Sequence, residues 1–339
     1  MTKSAKSGIA VFIIILLIGG LCIGYSFYSK KNNTTNKVDS SNATGNPNGV
    51  SSQQYSKNSG KEFIAALYVE GTIEDANSTY NQKWLLSAIN TLARDPYNVG
   101  IAMYVNSPGG GVYQADEVYL ALKDYKQKNK KLYVYMGPMA ASGGYYISCP
   151  ADKIYANRNT LTGSIGVIAG QLIDATELLE NIGITIEAIH SGRNKLMGNF
   201  YETITQEQEE ILQSVSDECY EQFVSIVAHE RSMNIKKVKE LADGRIYTAS
   251  QAVQYNLIDG IRTWDNMIDE LRNEVMLPGC KVVTYRYEHK QTFRESLLGM
   301  ISNIQNKEAA SKLGLPLSVM DDLQGFNSYP AYLYRSSAY

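Results

Sequence analysis

Residues with the types to do chemistry gather in two short runs of small side chains. Gly137-Pro-Met-Ala-Ala-Ser-Gly-Gly-Tyr145 follows an apolar stretch and holds Ser142 at its turn. A serine after a strand and at the start of a helix suits a nucleophile, because helix N-termini favour developing negative charge. Gly143 and Gly144 have no side chain to block an approaching carbonyl. The plainer alternative is that Ser142 only caps the helix. The second run is Asn106-Ser-Pro-Gly-Gly-Gly-Val112. Three consecutive glycines free the backbone to aim N–H groups at a phosphate or an oxyanion. By itself such a run is more often just a turn.

A serine nucleophile needs a base. The chain has three histidines, His190, His229 and His289. His190 is nearest to the candidate site, but no Asp or Glu follows closely to orient it, so a Ser-His-Asp triad has little support. Lysine can replace histidine if it is neutral, and burial lowers its pKa. His190-Ser-Gly-Arg-Asn-Lys195 follows a strand-like run and offers Lys195. Spacing alone does not single it out, since most lysines are simply solvated.

The elements that must position these residues alternate. The spacing predicts strands at 63–69, 100–105, 131–136, 153–155, 166–168, 184–189 and 282–285. Helices are expected at 84–92, 115–125, from about Ser142, 205–232, 236–242, 249–255 and 264–275. In the long one, Ile211, Val215, Cys219, Phe223 and Val227 share a face, and Thr205-Gln-Glu-Gln208 reads as a capping box. The alternation predicts an α/β domain with a mainly parallel sheet and flanking helices. Residues after about Gly314 read as an irregular tail. Tyrosines number 25 against 7 phenylalanines, which suits half-buried sheet positions with wet hydroxyls.

Residues 9–28 carry no charge, long enough for one membrane-spanning helix. The run ends Gly24-Tyr-Ser-Phe-Tyr28 without a small-residue cleavage site, so a retained anchor is expected rather than a signal peptide. Lysines flank both ends and leave orientation open. The division expected is a short segment 1–8, an anchor 9–28, a flexible polar tether 29–61, a catalytic domain 62–290 and a C-terminal segment 291–339. Net charge is −2 with no evident basic patch, which disfavours a nucleic-acid partner. Beyond Cys22 the cysteines are Cys149, Cys219 and Cys280, with no CxxC, so neither a disulfide framework nor a metal site is expected. No cofactor is expected.

Taken together, several segments resemble the signal peptide peptidase A family, Ser-Lys membrane peptidases related to the Clp protease fold. They are Asn106–Val112, Met139-Ala-Ala-Ser-Gly-Gly-Tyr-Tyr146, Thr162-Gly-Ser-Ile-Gly-Val167, Ser191-Gly-Arg-Asn-Lys195 and Ala242-Asp-Gly-Arg-Ile-Tyr-Thr248. The resemblance implies Ser142 as nucleophile, Lys195 as general base, Ser164 orienting Lys195, and an oxyanion hole from Gly109 or Gly110 with Gly143. It also implies a crotonase-like (ClpP-like) fold and a membrane-anchored homo-octamer whose neighbouring subunits build each site. The catalytic domain would lie outside the cytoplasm and cleave spent signal peptides or other short apolar segments. The C-terminal tail Tyr329-Pro-Ala-Tyr-Leu-Tyr-Arg335 could enter the active site. One rival is an acyl-CoA hydratase-like enzyme, disfavoured by the anchor and by Ser and Lys in place of acidic residues. Another is a catalytically inactive membrane-tethered scaffold.

Overall fold

The computed structural model describes residues 60–289 and, in backbone only, residues 331–333. The expected anchor at 9–28 and most of the tether lie outside the described residues. Among the described residues no helix is long and apolar enough to cross a membrane.

The strands are β1 (Phe63–Glu70), β2 (Asn98–Ser107), β3 (Gly109–Gly111), β4 (Lys131–Ala141), β5 (Lys153–Ala156), β6 (Leu161–Gly163), β7 (Ile246–Thr248), β8 (Gly260–Ile261), β9 (Lys281–Tyr285) and β10 (Ala331–Leu333). The helices are α1 (Gln82–Arg94), α2 (Val112–Lys126), α3 (Gly143–Tyr146), α4 (Thr176–Asn181), α5 (Gln206–Glu230), α6 (Ile235–Leu241), α7 (Ala249–Gln254) and α8 (Trp264–Glu274). The main sheet runs β7-β6-β4-β2-β1-β9, with β5 also on β4 and β8 on β5. Only the β6–β7 pair is antiparallel.

Alternation along each strand sorts the side chains between two cores. Phe63, Ala65, Leu67 and Val69 face the layer built from α1, α2, α3 and the end of α5. Ile64, Ala102, Tyr133 and Tyr135 face Met267, Ile268 and Leu271 of α8. A parallel sheet covered on both faces needs near-continuous apolar strands, which is why 63–69 carries no charge. Each fully buried aliphatic side chain contributes about 1.5–3 kcal/mol. Tyrosines fill both layers, and several bond their hydroxyls. Tyr125 donates to Asn98 at 2.7 Å, and Tyr145 to the Leu257 carbonyl at 2.8 Å.

Three expectations are corrected. Residues 184–189 form no strand, and Ile184, Ile186 and Ile189 are all exposed. A strand needs a ladder partner, and this run has none among the described residues. Residues 166–168 likewise form no strand; the strand lies earlier, at β6, where the β4 backbone can accept it. On α5, Phe223, Val224 and Val227 are buried but Val215 is exposed, so only its C-terminal half seats on the core. The capping box at Thr205 and Gln208 is present.

Candidate active site

β4 ends at Ala141, and Ser142 turns the chain into the single-turn helix α3. Ser142 is buried, with φ 53° and ψ −118°. A non-glycine residue at positive φ is sterically strained and persists only where the surroundings hold it. Here the Ser142 N–H donates to the Gly163 carbonyl at 2.7 Å, and the Ser142 carbonyl accepts from Tyr146 N–H at 2.9 Å. The side chain makes no capping hydrogen bond, and Oγ has no bonded partner among the described residues. Capping therefore does not explain this serine. The turn instead leaves Oγ unengaged at the start of α3, whose first N–H groups no intrahelical carbonyl satisfies.

α3 is fixed from several sides. Tyr146 donates to Asp116 at 2.7 Å and Ser148 to the Gly144 carbonyl at 2.7 Å. A Cβ on Gly144 would lie 2.8 Å from the Ser107 carbonyl oxygen, so only glycine lets α3 sit this close to the end of β2. That closeness brings Gly143 to the glycine strand β3.

β3 is clamped on one edge by Ile73. The Ile73 N–H donates to Gly109 at 2.8 Å, and the Gly111 N–H to Ile73 at 2.8 Å. The Gly109 N–H is taken by Ser107 Oγ at 3.1 Å. Successive residues of a strand direct their backbone groups to opposite edges, so Gly110 offers its N–H and carbonyl to the other side. β10 lies there, antiparallel, with Tyr332 opposite Gly110 and Leu333 opposite Gly109. The tail expected to be irregular thus contributes a strand, and that strand runs beside α2 and α3. Gly110 can carry no side chain, because its Cβ would fall 1.9 Å from the Ile73 carbonyl oxygen.

Ser164 lies next to Ser142. Ala141 pairs with Gly163, so the residues that follow on β4 and β6 emerge side by side. Ser164 is also buried at positive φ, 51°, and its N–H donates to the Arg245 carbonyl at 2.8 Å. Ser142, Ser164, Gly143 and the β3 glycines therefore form one cluster.

Lys195 makes no hydrogen bond or ion pair with this cluster among the described residues. The segment from about Val167 to Thr205 projects from the sheet, and Lys195 is exposed on it. Its N–H donates to the Gly192 carbonyl at 3.1 Å, and Nζ has no partner among the described residues. Arg193 pairs with Glu207 rather than with any group of the cluster. His190 is exposed, its Nδ1 3.2 Å from the Gly192 carbonyl oxygen. Among the described residues, no group of three or more His, Cys, Asp or Glu is placed to hold a metal. Burial pushes the Cys149 thiol far up, consistent with a packing role near α3.

Two contributors escape sequence reasoning. Ile73 and Ser107 set the edge and the N–H usage of β3, yet neither type suggests a site. The available signals were that Ile73 follows the end of β1 and that Ser107 lies in the glycine run Asn106–Val112, at the last position of β2.

A model of peptidase family S49 matches residues 124–277. A putative signal peptide peptidase SppA of Enterococcus faecium is 34% identical over 295 residues, covering 85% of each chain. A putative protease of Synechocystis is 35% identical over 282 residues, 82% of this chain and 98% of its own. Among solved structures, a ClpP1 mutant from Listeria monocytogenes aligns with 58% of this chain and 90% of its own, at 17% identity. Its TM-score of 0.39 is too slight to carry an argument. Relatedness at this level over most of both chains, with a buried serine at a strained turn against a glycine strand, places the chain in peptidase family S49, the signal peptide peptidase A family of serine peptidases.

Proposed function

We propose that this serine peptidase is a membrane-anchored, crotonase-like endopeptidase that uses a Ser142–Lys195 dyad on extended peptides. Ser142 Oγ attacks the scissile carbonyl carbon, and its proton passes to Lys195 Nζ as general base. The N–H groups of Gly143 and of Gly110 or Gly109 stabilise the oxyanion. Of the latter two, Gly110 is favoured, because Ser107 already occupies the Gly109 N–H. The tetrahedral intermediate expels the amine, which takes the proton back from Lys195. Water then attacks the acyl-enzyme with Lys195 accepting its proton, the carbon–Oγ bond breaks, and Lys195 returns the proton to Ser142 Oγ as the acid product leaves. Ser164 hydrogen-bonds Lys195 and holds it in line.

The observation that carries this reading is Ser142 itself, held at φ 53° without a capping role and set against the β3 glycines. β10 on β3 supplies the binding mode: substrate adds as an antiparallel strand along Gly109–Gly111. The chain's own tail is then a competitor for that edge.

Lys195 reaches a serine of a neighbouring copy in this reading. Its exposure supports that, as do Ile173, Leu178, Ile182, Ile184 and Ile189 on the same projecting segment, all exposed in a single chain. The assembly is a homo-octamer held to the cell membrane by residues 9–28, with its catalytic domains outside the cytoplasm. Spent signal peptides, the substrate named for the Enterococcus relative, fit a site that reads backbone and leaves side chains loosely specified.

Mixing two inactive variants tests the shared site. Ser142→Ala and Lys195→Ala are each expected to be inactive on an apolar fluorogenic peptide. Dissociated, mixed equally and reassembled, they should regain about a quarter of wild-type activity, because random neighbours pair an intact serine with an intact lysine at that frequency. No recovery would place both groups in one chain. Near-normal turnover by Lys195→Ala would refute the base assignment.

A further inference from the structure

The ends of the sheet remote from Ser142 form a surface that the peptidase reaction does not use. Phe63 pairs with Asn98 and Lys281, and Gly100 pairs with Lys131, so the parallel strands begin along one edge. α1 and α2 each lead into the next strand and bring their C-termini to the same edge.

Charge is unevenly placed there. Lys126 pairs with Asp152 and Lys131 with Glu274, and these cancel. Lys130 Nζ donates to the Leu92 and Asp95 carbonyls at 2.6 Å, which leaves Lys61, Arg94, Lys128, Lys153 and Lys281, with Glu62, Asp95 and Asp124 among them. The chain as a whole is at −2, so this edge runs against the balance of the rest.

Apolar groups stand out at the same edge. Met276 is 86% exposed at the tip of the turn between α8 and β9. Leu277 and Pro278 follow it and, with Gly60, Lys61 and Tyr97, line a shallow recess of about 630 Å³. Tyr97 is itself 42% exposed. A protruding methionine, an amphipathic tyrosine ring and a ring of lysines are what an anionic bilayer surface would bind.

The chain outside the described residues chooses the occupant. It arrives at Gly60, in this recess, from the uncharged run 9–28 about thirty residues earlier. A polar tether of that length spans roughly 30 Å on average, so the recess stays near whatever holds the run.

We propose that this edge, with Met276 at its tip, docks on the surface of an anionic bilayer. This rests on the reading of 9–28 as a membrane anchor. β4 has 11 residues, so Ser142 at its far end then stands roughly 35 Å from the docked edge. A substrate segment must leave the bilayer to reach it.

The full chain would be reconstituted into vesicles of phosphatidylcholine alone or with about a third phosphatidylglycerol. Met276→Trp adds one emitter to the wild-type Trp84 and Trp264, at an exposed position whose positive φ of 56° the wild-type methionine already holds; retained peptidase activity checks the fold. In anionic vesicles the added emission should shift to the blue and lose more than half its intensity to brominated lipid. A Lys128→Glu, Lys281→Glu pair in that background should at least halve the quenching. A chain that floats with the vesicles but shows no quenching overturns the docking and leaves the anchor standing. A chain that does not float sinks both. Equal quenching in neutral and anionic vesicles refutes the role assigned to the lysines.

Discussion

Ser142→Gly should be more stable than Ser142→Ala, although glycine usually weakens a fold. Both variants lack the hydroxyl, so their difference isolates the backbone. At φ 53° and ψ −118°, Ser142 lies outside the basins open to residues with a Cβ. Such strain costs about 1–3 kcal/mol, and glycine relieves it. Against that, glycine gains unfolded-state entropy relative to alanine, about 0.4–1 kcal/mol. The net gain for Ser142→Gly is about 0.5–2 kcal/mol. For a folded region of this size that is a Tm higher by roughly 1–8 °C. Denaturant unfolding of the two inactive variants would read it as a shifted midpoint at unchanged slope. A glycine variant equal to or below the alanine variant would show that the turn stores no strain, and would remove the argument that it exists to present a nucleophile.

Gly110→Ala forces a Cβ to within 1.9 Å of the Ile73 carbonyl oxygen and 2.7 Å of its nitrogen, both backbone atoms that cannot step aside cheaply. We expect a loss of about 1–3 kcal/mol from overpacking and at least about 100-fold in kcat from a displaced oxyanion donor; unaltered kcat would contradict the role of β3. Truncation after Asn327 removes β10 and should lower the apparent KM for a short peptide at least roughly threefold, because a tethered strand competes at an effective millimolar concentration. Unchanged kinetics would show that the tail does not compete with substrate. Glu230→Gln tests a buried charge. Burial alone would raise this carboxyl, but hydrogen bonds from Lys123 at 2.6 Å and Tyr119 at 2.7 Å hold it below its ordinary value of 4.5. A depressed carboxylate stabilises the fold above its unfolded pKa and loses that contribution as pH falls through the folded value. Wild type should therefore exceed Glu230→Gln by about 1–3 kcal/mol at pH 7, with the gap closing below about pH 4; a gap independent of pH would exclude the charge as its source.

Much of the fold was legible in the sequence because its determinants are local. Apolar runs such as 63–69 and 131–136 read as strands from their length and residue types, and Thr205 with Gln208 marked the start of α5. Ser142 and the two glycine runs stood out by residue type and order, since small residues suit such turns and close approaches, whereas Ser164 entered only through the family resemblance. Other features were decided by the tertiary structure. Residues 184–189 have strand-like alternation, but alternation does not supply a partner, and in the single chain they stay unpaired. Three residues of the tail look irregular by composition and become a strand only because Gly110 turns an open edge toward them. The N–H of Gly109 was lost to Ser107 by a contact two residues away that no spacing rule announces. The sequence determined which residues are suited to the chemistry. Which backbone groups remain unspent, and whether Lys195 faces its own serine or another, depends on contacts between segments distant along the chain.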